Sequence, residues 1–166
     1  MSNRSAILSS LIGEVVIPTR ADTSTTTKTM TLLAQWSMDL DQLVVAATEA
    51  RARAYAPYSR FRMGAAVLMS NDNVVTGTLV ENVSLGLAMC AERVALFATV
   101  DAESQPVALA VVSPRTDGTV TYPCGACLQV ALELGGPETV VVAATTDGVI
   151  ERSTVGELLP HGPRKV

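Results

Sequence analysis

Two stretches decide the reading of this chain: CAERVALFATV at residues 90–100 and YPCGACLQVALEL at residues 122–134. Between them they hold Cys90, Cys124 and Cys127, all three cysteines of the 166-residue sequence. Both stretches read as helices, over 90–100 and 124–134, and each helix starts at a cysteine. Exposed N–H groups and the helix dipole at such a position favour negative charge, and so favour a thiolate. Gly135 and Gly136 supply a C-cap for the second helix.

Working outward from these helices, the remaining elements follow from local pattern. A helix is expected from an N-cap at Ser37 to about Ala56, with Leu40, Leu43, Val44, Ala47 and Ala54 on one apolar face and Pro57 as its stop. MGAAVLMSNDNVVTGTLV reads as two strands joined by the polar turn at 70–73. PVALAVVS from Pro106 and TVVVAAT from Thr139 read as short buried strands, with turns at Asp117-Gly118 and Asp147-Gly148, and VIERSTV as a last strand. The order α-β-β-α-β-α-β-β implies an α/β fold with helices packed on a mixed central sheet. Residues 1–35 differ. TRADTSTTTKTMT carries no period, so this segment reads as an extension or linker, and the compact domain spans 36–166.

Composition excludes several classes of function. Charged residues make up 17% and hydrophobic ones 48%, which suits a folded domain; aromatics are only 4%, so small aliphatics must fill its core. A net charge of −4 without a basic run argues against a polynucleotide partner. No apolar run approaches the ~18 residues that cross a membrane. The first residues faintly resemble a signal peptide but run into Glu14 without a small-residue cleavage site. An odd number of thiols fits a reducing compartment, so the expected location is cytoplasmic.

The cysteines admit several readings. Each alone could be an inert core thiol. Cys124-Gly-Ala-Cys127 also resembles a redox pair, which leaves Cys90 and Glu92 without a role. A closed structural zinc site needs a fourth ligand, and His161 in the polar tail is the only histidine. The remaining reading is a zinc site with three protein ligands and an open position, which binds water and makes it acidic. Three thiolates weaken the metal as a Lewis acid, and Arg93, one turn from Cys90, is a candidate to draw charge off a sulfur. Glu92, two residues from Cys90, can reach a water there without being a ligand. Alone it would read as a solvated helix glutamate.

Cys90-Ala91-Glu92 followed by Pro123-Cys124-Gly125-Ala126-Cys127 resembles the all-cysteine variant of the zinc deaminase signature, in which the glutamate is the general acid and base. AYAPYSRFRMGAAV (54–67), VENVS (80–84) and GELLP (156–160) extend the resemblance over roughly residues 40–160, to the small homotetrameric cytidine deaminases and, more loosely, their blasticidin S deaminase relatives. The resemblance implies a three-layer fold with a sheet of about five strands. It implies zinc on Cys90, Cys124 and Cys127, proton transfer by Glu92, and support of the sulfurs by Arg93 and Gln129. It implies a substrate site including Ala91, with Phe61 on the base and Glu81 on the sugar hydroxyls. The substrate would be a nucleoside-like small molecule and the assembly a homotetramer. Four positions depart from the family pattern: Leu79 stands where Asn is expected, Leu85 where an aromatic is common, Leu128 where Arg commonly follows the second cysteine, and no Phe follows Leu158-Leu159-Pro160. The reaction machinery is complete, but the sugar pocket is altered.

Overall fold

The computed structural model describes residues 39–116 and 118–164. The expected extension over 1–35 and the N-cap expected at Ser37 lie outside them. Helix α1 (Leu40–Ala52) is capped instead by Asp39, whose carboxylate accepts from Asp41 N–H at 3.3 Å. Strands β1 (Gly64–Met69) and β2 (Val74–Thr78) form the expected hairpin. They are followed by a 3₁₀ turn (Leu85–Leu87), α2 (Ala91–Phe97), β3 (Pro106–Ser113), α3 (Gly125–Gly135), β4 (Val140–Thr145), β5 (Ile150–Thr154) and a short α4 (Val155–Leu158).

The five strands make one mixed sheet in the order β2-β1-β3-β4-β5, in which only β3 and β4 run parallel. β1, β4 and nearly all of β3 are buried, which is why they read as continuous apolar runs rather than alternating ones. Strand alternation sorts their side chains onto two faces. Ala66, Leu68, Ala108, Ala110, Val140 and Val142 meet Leu40, Leu43 and Ala47 of α1. On the other face Ala65, Val67, Leu109, Val111, Val141 and Ala143 meet α2, α3 and α4 through Ala91, Ala95, Leu128, Ala131 and Val155. This is the expected three-layer arrangement, and both cysteine-led helices lie on one face.

Two glycines set how closely the helices approach. A Cβ on Gly64 would sit 2.2 Å from Ala47 O of α1, and one on Gly77 would sit 2.3 Å from Ala91 O and 2.4 Å from Ala95 N of α2. The backbones of β2 and α2 are therefore in contact with no side chain between them.

The first helix ends earlier than the sequence pattern suggests. It stops at Ala52, with Arg53 as its C-cap, and Pro57 is not what terminates it. Tyr55 N–H donates to Leu79 O at 2.9 Å and Glu81 N–H donates to Tyr55 O at 2.8 Å, so pairing with the chain after β2 claims the backbone that would have continued the helix. Of the face expected on α1, Leu40, Leu43 and Ala47 are buried and Val44 packs against them, while Ala54 is buried beyond the helix end. The second helix likewise ends at Phe97, short of residue 100. Helix α4 was not expected, although Thr154-Val-Gly-Glu157 carries a capping box: Thr154 Oγ1 accepts from Glu157 N–H, and the Glu157 carboxylate accepts from Thr154 N–H.

Candidate active site

Cys90 caps α2 and Cys124 caps α3, both with extended backbone and neither side chain spent on a capping hydrogen bond. Both sulfurs are thereby left free at helix N-termini. Cys127 sits in the first turn of α3 and is buried. The three Sγ atoms lie within 4.8 Å of one another, none in a disulfide, with Cys124 and Cys127 3.5 Å apart. Among the described residues no fourth His, Asp or Glu joins this group, so His161 does not complete it.

The charges around the sulfurs are strongly coupled. Cys90 is pulled down to about 5, first by a hydrogen bond from Cys127, with Arg93 adding a hydrogen bond and its charge. Cys127 is pushed up by giving that hydrogen bond, by burial and by the nearby Glu92 carboxylate. Arg93 Nη2 lies 3.7 Å from Cys90 Sγ. Glu92 is 1% exposed, and its Oε2 has no hydrogen-bond partner. Burial, with the charge of Cys90 adding to it, pushes the Glu92 carboxyl up to about 7. A buried carboxyl oxygen without a partner is costly, so it is a group held ready for something not of this chain.

This donor set fits zinc. Three mutually close sulfurs that destabilise one another as thiolates are stabilised by a soft-tolerant divalent cation, and three protein ligands leave the fourth tetrahedral position open. A redox pair at Cys124 and Cys127 would account for neither Cys90 in the cluster nor the unpartnered Glu92 oxygen.

The other expected site residues are distributed as follows. Ala91 is fully buried at the first position of α2. Phe61 is half-buried and packs on the core cluster of the α2 face, as does Leu79. Glu81 accepts from Tyr58 N–H at 2.8 Å, from Ser59 N–H at 3.3 and 3.4 Å, and from the Ser59 hydroxyl; these bonds hold its carboxyl below the usual range. Gln129 does not reach a sulfur. Its Nε2 donates to Pro163 O at 2.9 Å, fastening the C-terminal segment to α3. Leu85 is exposed on the 3₁₀ turn.

Sequence reasoning missed Ser59 and the loop around it. The Ser59 hydroxyl accepts from Phe61 N–H at 3.0 Å while donating to Glu81, and so ties the Phe61 backbone to the Glu81 carboxylate. Arg60 beside it has φ +60°, an uncommon conformation for a residue with a side chain. The only signal was the polar Pro57-Tyr58-Ser59-Arg60 run, which fixes no partner.

Fold and site together define a three-layer α/β protein whose two helix N-termini converge on a three-sulfur metal centre beside a buried carboxyl. Residues 37–144 match the family described as the cytidine and deoxycytidylate deaminase zinc-binding region. The chain belongs to the cytidine deaminase family. It is 48% identical over 124 residues to a cytidine deaminase of Halalkalibacterium halodurans, covering 74% of this chain and 92% of that one. It is 42% identical over 123 residues to a cytidine deaminase of Mycobacterium tuberculosis, covering 74% and 88%. The crystal structure of cytidine deaminase from Burkholderia pseudomallei superposes with a TM-score of 0.71 at 42% identity, covering 76% of this chain and all of that one.

Proposed function

We propose that this chain is a zinc-dependent hydrolytic deaminase that converts cytidine, deoxycytidine or a related aminopyrimidine nucleoside to the uridine-type product and ammonia. The observation that carries the reading is Glu92 Oε2, buried and unpartnered two residues from a sulfur of the cluster. Cys90, Cys124 and Cys127 would hold zinc, which would supply the Lewis acidity that lets water lose a proton near neutral pH. Glu92 accepts that proton and passes it to the ring nitrogen as oxygen adds to the carbon bearing the amino group. It then takes the remaining hydroxyl proton and delivers it to the amino group, which departs as ammonia while the new carbonyl forms. Burial pushes the Glu92 carboxyl up from the usual carboxylate range, toward a group that can both take and return a proton. Arg93, close to Cys90 Sγ, draws charge off that sulfur and would keep a metal bound there electrophilic. Phe61 packs against the base, and Glu81 accepts from the sugar.

The same reading places the catalytic unit at 36–166 and its work in the cytoplasm, on a small molecule in pyrimidine nucleoside salvage. Among the described residues no helix is long and apolar enough to cross a membrane. The reading also includes a homotetramer. It is supported by Val83, Leu85 and Leu87, which expose 81%, 86% and 67% of their surface on the segment leading to Cys90, an apolar patch suited to a neighbouring subunit.

The test is ammonia release from cytidine and deoxycytidine by zinc-loaded protein, beside Glu92→Gln. The variant should keep its zinc and melting temperature and lose ~10²–10⁴-fold in kcat. Near-normal turnover by Glu92→Gln would refute the assigned role.

A further inference from the structure

The described residues between β3 and α3, 114–116 and 118–124, belong to no helix or strand, yet this chain must deliver Cys124 to the other two sulfurs. It is fastened to the β4–β5 hairpin at both ends. At its start Arg115 Nε donates to Asp147 Oδ2 at 2.8 Å, an exposed ion pair of the kind that contributes little. At its end the Tyr122 hydroxyl donates to Glu151 Oε2 at 2.8 Å, and both residues are half-buried. Glu151 stands across from Ala143 in the β4–β5 ladder, so it shares the face of the sheet that carries α2, α3 and the cysteines. The buried side chains of the sheet on that face, Val67, Leu109, Val111 and Val141 among them, are aliphatic. A carboxylate beside them needs a partner, and Tyr122 is that partner. The Tyr122 ring packs against the same core cluster. Ring and hydroxyl together pin the residue two positions before Cys124, and Pro123 between them has a fixed φ. Cys124 itself is exposed and its side chain makes no capping bond, so the backbone on either side determines where its sulfur lies.

We infer that Tyr122 is a positioning residue for the metal centre: clasped by Glu151 on the edge strand β5, it fixes the entry to α3 and holds Cys124 beside Cys90 and Cys127. The inference rests on the zinc reading above and adds the contact that retains the metal. Without the clasp, the entry to α3 gains freedom that metal binding has to remove again. Metal retention then weakens while the core of the fold is unchanged. Glu151 is an acidic residue of an edge strand, and its role in holding a cysteine comes only through the tyrosine.

The experiment follows transfer of zinc from the loaded protein to a chromophoric chelator in the wild type, Tyr122→Phe, Glu151→Ala, Glu151→Gln and the Tyr122→Phe/Glu151→Ala double variant, with melting temperatures. Arg152→Ala is the control: it breaks the 3.1 Å bond from the next residue of β5 to Asp41 of α1, on the other face of the sheet. Tyr122→Phe and Glu151→Ala should release zinc at least ~5-fold faster, less than the full worth of a hydrogen bond to a charged group. Glu151→Gln still accepts from the hydroxyl and should stay closer to the wild type than Glu151→Ala. The double variant should be no faster than the faster single one, because both remove one contact. Arg152→Ala should match the wild type. Wild-type release from Tyr122→Phe overturns the inference and leaves the zinc site intact. Equal acceleration in Arg152→Ala overturns it as well, since general loosening of β5 would then be the cause. A wild type that holds no zinc overturns the metal reading and the inference together.

Discussion

Substituting Gly77 by Ala should damage catalysis from the far side of the catalytic helix. The added Cβ would lie 2.3 Å from Ala91 O and 2.4 Å from Ala95 N, against ordinary contacts of 3.4–4 Å. Both atoms are backbone, so no side chain can swing aside, and α2 must retreat from β2 by about 1 Å. That helix begins at the Cys90 cap and carries Glu92. A displacement of this size at reacting groups costs ~10²-fold in rate, while overpacking of this kind costs ~1–3 kcal/mol of stability. Gly64→Ala is the control. Its Cβ would lie 2.2 Å from Ala47 O and 2.3 Å from Arg51 N, an equally severe clash against α1 on the opposite face of the sheet. Melting temperature, zinc content and kcat on the better nucleoside, all read well below the melting point, separate the effects. Both variants should melt lower by a similar amount, and only Gly77→Ala should lose kcat heavily. Wild-type kcat with full zinc in Gly77→Ala would refute the claim that this glycine sets the catalytic geometry. So would an equal loss in Gly64→Ala, since general loosening would then explain both.

Two further outcomes are expected. Metal analysis should find about one zinc per chain, and X-ray absorption should show three sulfurs and one lighter ligand; removal by chelation should abolish ammonia release, and four protein ligands would contradict an open site. Light scattering at assay concentration should give four copies, with Leu85→Asp shifting the assembly toward smaller species; an active monomer would contradict the proposed homotetramer.

Much of the fold was legible because its signals are local. The buried strands are uninterrupted aliphatic runs bounded by turn residues, and the two cysteine-led helices start where their caps stand. The misreadings share one cause, which is tertiary pairing that no window of sequence contains. The composition stays helical to Ala56, yet Tyr55 is claimed by Leu79 and Glu81 in the chain that follows β2. Gln129 faces the C-terminal segment rather than a sulfur, because Pro163 returns to lie beside α3. The three thiols and Glu92 could be assembled on paper from spacing. The Ser59 bridge between Phe61 and Glu81 could not, since nothing in a polar loop announces which carboxylate it will close upon.

Small side chains also set the geometry of the site. A chain with only 4% aromatic residues has to fill its core with small side chains, and alanines line both faces of the sheet, including the one that carries the metal cluster. On the α2 and α3 face the contact is made by Ala65, Ala91, Ala95, Ala131 and Ala143, with Gly77 against the backbone of α2. Helix separation is set by the side chains at the contact, so alanine and glycine let both helices settle close to the sheet and to each other. Their N-termini then bring two sulfurs from α3 and one from α2 within 4.8 Å. Larger residues at these positions would widen the spacing by more than a metal–sulfur bond can tolerate. The alanine-rich interior thus works as the spacer that holds the cluster at coordination distance. It places Glu92, one position into α2 from Ala91, in the dry ground beside the sulfurs, where burial raises its carboxyl to about 7.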